Sequence, residues 1–489
     1  MVCRRVSLLF TAAVLLAASS LARAQGPAPA APADGKTETA ERGEKGEKAD
    51  KPEKAVTDKL LADAERIAER VAKLRGLAMV RPIRRGVMSK PEITQHLLER
   101  VHKEYRPEEI ASEELAMKRL GLLPPDVDYL DMVMKLLVDQ IAGFYDPWKQ
   151  ELYIADWMAA GGDDVMAHEI DHALQDQHFK LRQWMVADKK NADASLARQA
   201  VVEGDGVAVM IEFASPSPVA WGQDGFVENL AGLMGLGAAT IGDVPLVIRE
   251  GLMFPYLSGL RFVAEVRKTR PWSAVDDIYR RPPLSSEHIM HPSTYARYER
   301  PVLVRAGQAP ALRGHKQRYD NVLGEFGLAV LLRQHKVSLP IANIAAAGWG
   351  GDRVTMYAPP GAADRTGQSA VAVIYTVWDS EVDAVEFFGA IEDAMPSLSH
   401  GTEASRAPEL PELPELPELP ELIELRGGGG PGGGDVVSSV ERRGDAVVVI
   451  VGAPASAAQP LRAQVWKSWR VTRPAAGAAA SPAQAQPKR

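Results

Sequence analysis

The sequence predicts an α+β protein in two unequal parts, a mainly helical domain over residues 55–303 and a smaller α+β module over 304–471. Three observations predict it. Long segments of the first part repeat apolar residues at helical spacing, interrupted by one short strand-like run. The second part mixes such segments with short runs rich in Val, Ile and Thr. Stretches with almost no large apolar residue border the two parts, at 25–54 and 472–489, and a low-complexity insert spans 400–434.

The first 24 residues have the organisation of a secretory leader. Arg4 and Arg5 precede an apolar stretch over 6–18, and Ala22-Arg23-Ala24 offers a small-x-small cleavage site. This predicts an exported chain, periplasmic or extracellular. The single cysteine, Cys3, lies in the leader, so the processed chain would hold no disulfide and no thiol ligand. No later stretch is long enough to predict a membrane span. The net charge of -7 without a long basic run argues against nucleic acid as a partner.

Residues 55–74 carry Leu60, Leu61, Ala64, Ile67, Val71 and Leu74 on one helical face, with Gly76 as the stop. Helices are expected over 91–103, 108–120 and 129–143. A turn is expected at Gly143-Phe144-Tyr145-Asp146-Pro147, then a short strand over 151–155. Asp163 and Asp164 suit the start of the next helix, and another helix should run from about 192 to 213. Residues 226–236 and 246–268 read as apolar helices. In the second module, 319–334 and 381–395 read as helices, 354–357 and 370–378 as strands, and 436–441 with 446–451 as a hairpin around Arg443-Gly444-Asp445. Pro408-Glu409-Leu410 begins five consecutive copies of that triplet, followed by a glycine-rich run to Gly434. Proline at every third position favours extended polyproline conformation, and the insert reads as a linker.

The strongest chemical signal is His168-Glu169-Ile170-Asp171-His172. Residues four apart share a helical face, so His168 and His172 can aim imidazole nitrogens at one ion. Glu169 is offset around the helix and is free to act as a general base. The neighbours Ala167, Ile170, Ala173 and Leu174 predict a buried helix, where two unpartnered histidines would be costly. With no cysteine available, the third ligand must be histidine or carboxylate. Glu203 fits, because it interrupts an apolar stripe formed by Leu196, Ala200, Val207 and Met210. Gly204 and Gly206 suggest that another backbone approaches there. Asp205, Asp176 and His178 are alternative ligands, and an arginine such as Arg198 or Arg261 is an alternative partner for Glu203. Asp176, one turn after His172, could accept the second ring N–H of that histidine. The set predicts one bound Zn2+.

On these residues the chain resembles the gluzincin metallopeptidases, in which a helix bearing this motif is followed by a helix with a ligand glutamate. It is most similar to uncharacterised secreted bacterial proteins of that type, through stretches like 143–147, 168–177, 202–205, 283–292 and 348–353. The resemblance implies a zincin-like domain, hydrolysis of a peptide or protein substrate, and an edge strand that binds extended peptide. Residues 151–155 take the edge-strand place in this reading. It also implies a histidine or tyrosine that stabilises the oxyanion, with His291, Tyr295 and His288 as the candidates in 285–295. Thirty residues separate His172 from Glu203, more than is usual in thermolysin-like enzymes, and the segment 180–191 is expected to absorb the excess. Asp171 is a carboxylate where such motifs usually carry an uncharged residue. The other outcomes weighed are a catalytically weak zinc-stapled envelope protein that binds a partner and a non-metal structural protein of the envelope. Trp349 and Asp352 read as structural.

Overall fold

The computed structural model describes residues 54–158, 162–186, 188–223, 225, 229, 244–360, 366–399, 421–428 and 435–474. The leader, most of the tether, the helix expected over 226–236 and the first four Pro-Glu-Leu copies lie outside these residues. The chain is α+β. Helix α1 (Lys54–Arg75) leads through β1 (Arg84–Met88) to α2 (Lys90–Glu104), α3 (Pro107–Arg119) and α4 (Tyr129–Gln140). Strands β2 (Gly143–Asp146) and β3 (Glu151–Ala155) follow, then α5 (Asp163–Phe179), α6 (Leu181–Trp184) and α7 (Ala192–Ala214). After α8 (Leu246–Arg267) come three short helices, α9 (Ser273–Arg280), α10 (Ser286–Met290) and α11 (Pro292–Arg297).

The second half runs β4 (Leu303–Arg305), β5 (Lys316–Asn321), α12 (Gly324–Gln334), α13 (Leu339–Ala346), β6 (Trp349–Ala358), β7 (Val371–Trp378) and α14 (Glu381–Leu398). It continues with β8 (Glu421–Gly428), β9 (Asp435–Arg443), β10 (Ala446–Pro454), α15 (Ala455–Ser468) and β11 (Arg470–Thr472). Six strands form an antiparallel sheet in the order β5-β6-β7-β10-β9-β8, and β11 pairs with β4.

Strand β7 shows why this sheet reads as a continuous apolar run. Ala372, Ile374 and Trp378 face one core, while Val371, Val373, Tyr375 and Val377 face another beneath α15. Both faces are covered, so no polar alternation remains. The first of these cores is shared across the boundary near residue 303. Ile93, Leu97 and Val101 of α2, Leu137 and Val138 of α4, and Phe144 of β2 pack in the same cluster as Leu331, Ile374, Phe387 and Val449.

Four expectations are corrected. Residues 143–146 form β2 rather than a turn, and α4 ends at Gln140. Glycine and aspartate suggested a turn, but the pairing of Gly143 with Ile154 and of Asp146 with Glu151 draws the segment into the sheet. Residues 319–321 belong to strand β5, and the helix begins only at Gly324. The last Pro-Glu-Leu copy supplies Glu421 and Leu422 to β8, which pairs along its length with β9, so the insert is shorter than 400–434. The strand at 151–155 is not an edge strand. The three-stranded sheet has the order β1-β3-β2, with β1 parallel and β2 antiparallel to the central β3.

Among the described residues no helix is long and apolar enough to cross a membrane.

Candidate metal centre

Helix α5 presents His168 and His172 to α7, where Glu203 meets them. Glu203 Oε2 lies 3.2 Å from His168 Nε2 and 3.5 Å from His172 Nε2. One ligand atom from each of the three lies within 4.8 Å of the other two. The rings of His168 and His172 stand edge to face at 4.5 Å. Helix α5 can bury this constellation because Ala167, Ile170, Ala173 and Leu174 fill a core with α1 and β3. Helix α7 packs Leu196, Ala200 and Met210 with Leu260 and Val263 of α8.

Two glycines let the helices meet. A Cβ on Gly206 would stand 2.8 Å from Cε1 of His168. A Cβ on Gly204 would stand 2.2 Å from the carbonyl carbon of Gly259 in α8. The expected close approach is therefore real but divided: Gly206 makes room for the ligand helix, and Gly204 for α8. The thirty-residue gap is absorbed by α6 and the turn before Asn191, whose side chain accepts from Ala194 N and caps α7.

The electrostatics follow from burial. Burial alone would raise the Glu203 carboxyl, but His172 and His168 outweigh it and hold it down at about 2. Burial opposes charge on His172, yet Glu203 prevails and lifts it to about 10. Burial and then the neighbouring His172 lower His168. Glu203 Oε1 is buried with no hydrogen-bond partner, and the groups acting on Glu203 are the two histidines rather than an arginine. An orphaned buried carboxylate oxygen beside two imidazoles fits a divalent ion, and two histidines with one carboxylate is a donor set used by catalytic zinc.

Glu169 is buried beside this set. Its Oε2 accepts from the backbone N–H of Tyr145 at 3.0 Å, and burial pushes its carboxyl up to about 8. That N–H points away from β3 and toward α5. The edge strand next to Glu169 is therefore β2, the segment that reads as a turn.

The other ring nitrogen of His172 meets Gln175 Oε1 at 3.0 Å, and Gln175 Nε2 donates to Asp171 Oδ2 at 2.6 Å. Gln175 holds the place expected of Asp176. Asp176 instead accepts from Tyr145 Oη, Gln150 and Arg81. Asp205, the rival ligand, is taken by Arg75, whose Nε and Nη2 donate to its two oxygens at 2.8 and 3.0 Å. Tyr279 Oη also donates to Asp205. Burial works against the Arg75 charge, but Asp205 outweighs it and raises the guanidinium. The Asp171 carboxyl is raised by burial and by Asp205. His178 contacts the carbonyl of Ala78.

His291 and Tyr295 make their hydrogen bonds elsewhere. His291 Nε2 lies 2.7 Å from Glu325 Oε1, Tyr295 Oη donates to the carbonyl of Arg281, and the Tyr295 ring packs on Phe262 and His288. No hydrogen bond or ring contact among the described residues joins either to His168, Glu169, His172 or Glu203. His288 is engaged with the carbonyl of Glu299. The aromatic group at the centre is Tyr256 of α8, buried and stacked on His168 with ring centroids 6.3 Å apart. Sequence reasoning missed it because α8 read as core packing. Asp352 is structural, as expected: it accepts from the Trp349 indole and from the N–H groups of Leu323 and Gly324 at the start of α12.

A family model described as Domain of unknown function (DUF8575) matches residues 313–462. The match falls within the second module and does not reach His168, His172 or Glu203. No curated protein and no solved structure matches the chain.

Proposed function

We propose that the chain is an exported zinc metallopeptidase with a zincin-like site, in which His168, His172 and Glu203 hold one Zn2+ and Glu169 is the general base. The observation that carries the reading is the convergence of one atom from each ligand within 4.8 Å, with Glu169 immediately beside them. Zinc bound there would supply Lewis acidity, polarising a carbonyl and acidifying water.

The protein groups supply the rest. Glu169 accepts a proton from the attacking water and returns it to the leaving amine. The Tyr145 N–H orients its carboxylate. Tyr256 is the candidate to steady the oxyanion. Glu169→Gln should retain zinc and abolish digestion of a peptide library, and equal digestion by wild type and variant would remove the enzyme reading. Tyr256→Phe should keep zinc and lower kcat by about 10²–10³.

The depth of the centre supports a second reading. His168 and Glu203 are 0% and 1% exposed, as a zinc staple in a partner-binding envelope protein would require. Stoichiometric zinc in a chain that cleaves nothing, with or without Glu169, would favour it.

A further inference from the structure

A second group of carboxylates shares no residue with the set His168, His172 and Glu203. Glu287 of α10, Glu299 just after α11 and Asp379 just after β7 each bring one oxygen within 4.8 Å of the other two. Glu287 is only 8% exposed. Its carboxylate has no hydrogen-bond donor and no ion-pair partner among the described residues. Nearby, Glu325 is 1% exposed, and its Oε2 is likewise without a partner while Oε1 meets His291. The cation in direct contact is Arg297, which pairs with Glu299.

Burial pushes the Glu287 carboxyl up to about 9, and Glu325, Asp379, Glu299 and Asp193 push it the same way. A buried carboxylate in such company keeps its proton or holds a cation. Three carboxylates make an all-oxygen donor set, which suits a hard cation, and Ca2+ gives up its water more readily than Mg2+.

We propose that Glu287, Glu299 and Asp379 form a Ca2+ site, distinct from the histidine centre, that clamps the α10–α11 segment to the end of β7. Its ligands come from both sides of residue 303. Helix α10 is in turn tied to α7, because Ser286 N donates to Asp193 Oδ2 in the first turn of α7 at 3.0 Å. The ion would therefore join the second module to the helix that carries Glu203. Waters would complete the six to eight oxygens that Ca2+ takes.

The test uses the full processed chain, titrated with CaCl2 and separately with MgCl2 by calorimetry and thermal unfolding. Wild type should bind one Ca2+ per chain and unfold at a higher temperature with it, and Mg2+ should do markedly less. Glu287→Gln and Asp379→Asn should weaken Ca2+ by at least about tenfold and lose the thermal increment. His168→Ala should keep both, which separates this site from the zinc reading. Without Ca2+, Glu287→Gln should be no less stable than wild type, because a neutral amide replaces a carboxyl that burial keeps protonated at a cost. No binding at millimolar Ca2+ would mean that Glu287 simply keeps its proton. An undiminished increment in both variants would place the ion elsewhere. Either result overturns the proposal.

Discussion

His172 turns one imidazole nitrogen to Glu203 and the other to Gln175, three residues further along the same helix. Gln175 is itself fixed by Asp171 and by the carbonyl of Val202 in α7. This holds the His172 ring in one orientation. Gln175→Ala should therefore weaken zinc binding by about 10–100-fold while the fold persists. Competition with a chelator of known affinity measures it, and an unchanged constant would show that Gln175 does not orient the ligand.

The two glycines of α7 should separate stability from metal binding. In Gly204→Ala the new methyl meets the backbone of Gly259. Neither helix can yield cheaply, and a loss of about 1–3 kcal/mol or more is expected. In Gly206→Ala the methyl meets the His168 ring. The ring must tilt, so zinc content should fall more than the unfolding midpoint does. Parallel metal analysis and urea denaturation decide, and equal behaviour of the two variants would refute the distinction.

Arg75 and Asp205 form a bidentate ion pair with both side chains fully buried. Arg75→Met would leave Asp205 buried and uncompensated, with Tyr279 as its remaining side-chain donor. A loss of about 3–5 kcal/mol is expected, partly recovered in Arg75→Met/Asp205→Asn. Denaturant midpoints with unchanged slopes are the readout, and a loss below about 1 kcal/mol would show that the network relaxes without it.

Asp352 gives a pH signature. Burial raises its carboxyl from 3.8 to about 6, against three hydrogen bonds that favour the charged form. A carboxyl raised on folding contributes stability that is complete below the unfolded value and lost as pH rises through the folded one. The stability of wild type minus that of Asp352→Asn should thus fall by up to about 3 kcal/mol between about pH 4 and pH 7. Urea titrations at intervals across that range measure it, and a flat difference would rule it out.

Local patterns made the ligand helices legible. Two histidines four apart, small and apolar flanks, and an acidic residue breaking an apolar stripe each point inward without knowledge of the partner. The strand at 151–155 was legible for the same reason, but its place in the sheet was not. Whether a strand is central or at the edge depends on β1, more than sixty residues earlier. Gly143 and Asp146 carry turn chemistry in four residues, too few for alternation to show. Gln175 is one polar residue among several on α5, and only its neighbours distinguish it. Arg75 meets Asp205 130 residues away, a distance no local pattern spans. His291 and Tyr295 sit in a stretch rich in catalytic residue types, yet their contacts belong to Glu325 and Arg281. Tyr256 was hidden because a buried aromatic in an apolar helix looks like any other core residue.

Strand β7 shares a hydrophobic cluster with helices that precede residue 303, and the consequence is practical. The borders of the matched family segment, 313–462, are not the borders of a self-sufficient body in this chain. A recombinant fragment cut to those borders would lose α3, which packs on β5 and β7, together with the apolar side chains of α2 and α4 that belong to the same cluster. It should self-associate or be recovered from inclusion bodies, while the intact polypeptide stays dispersed.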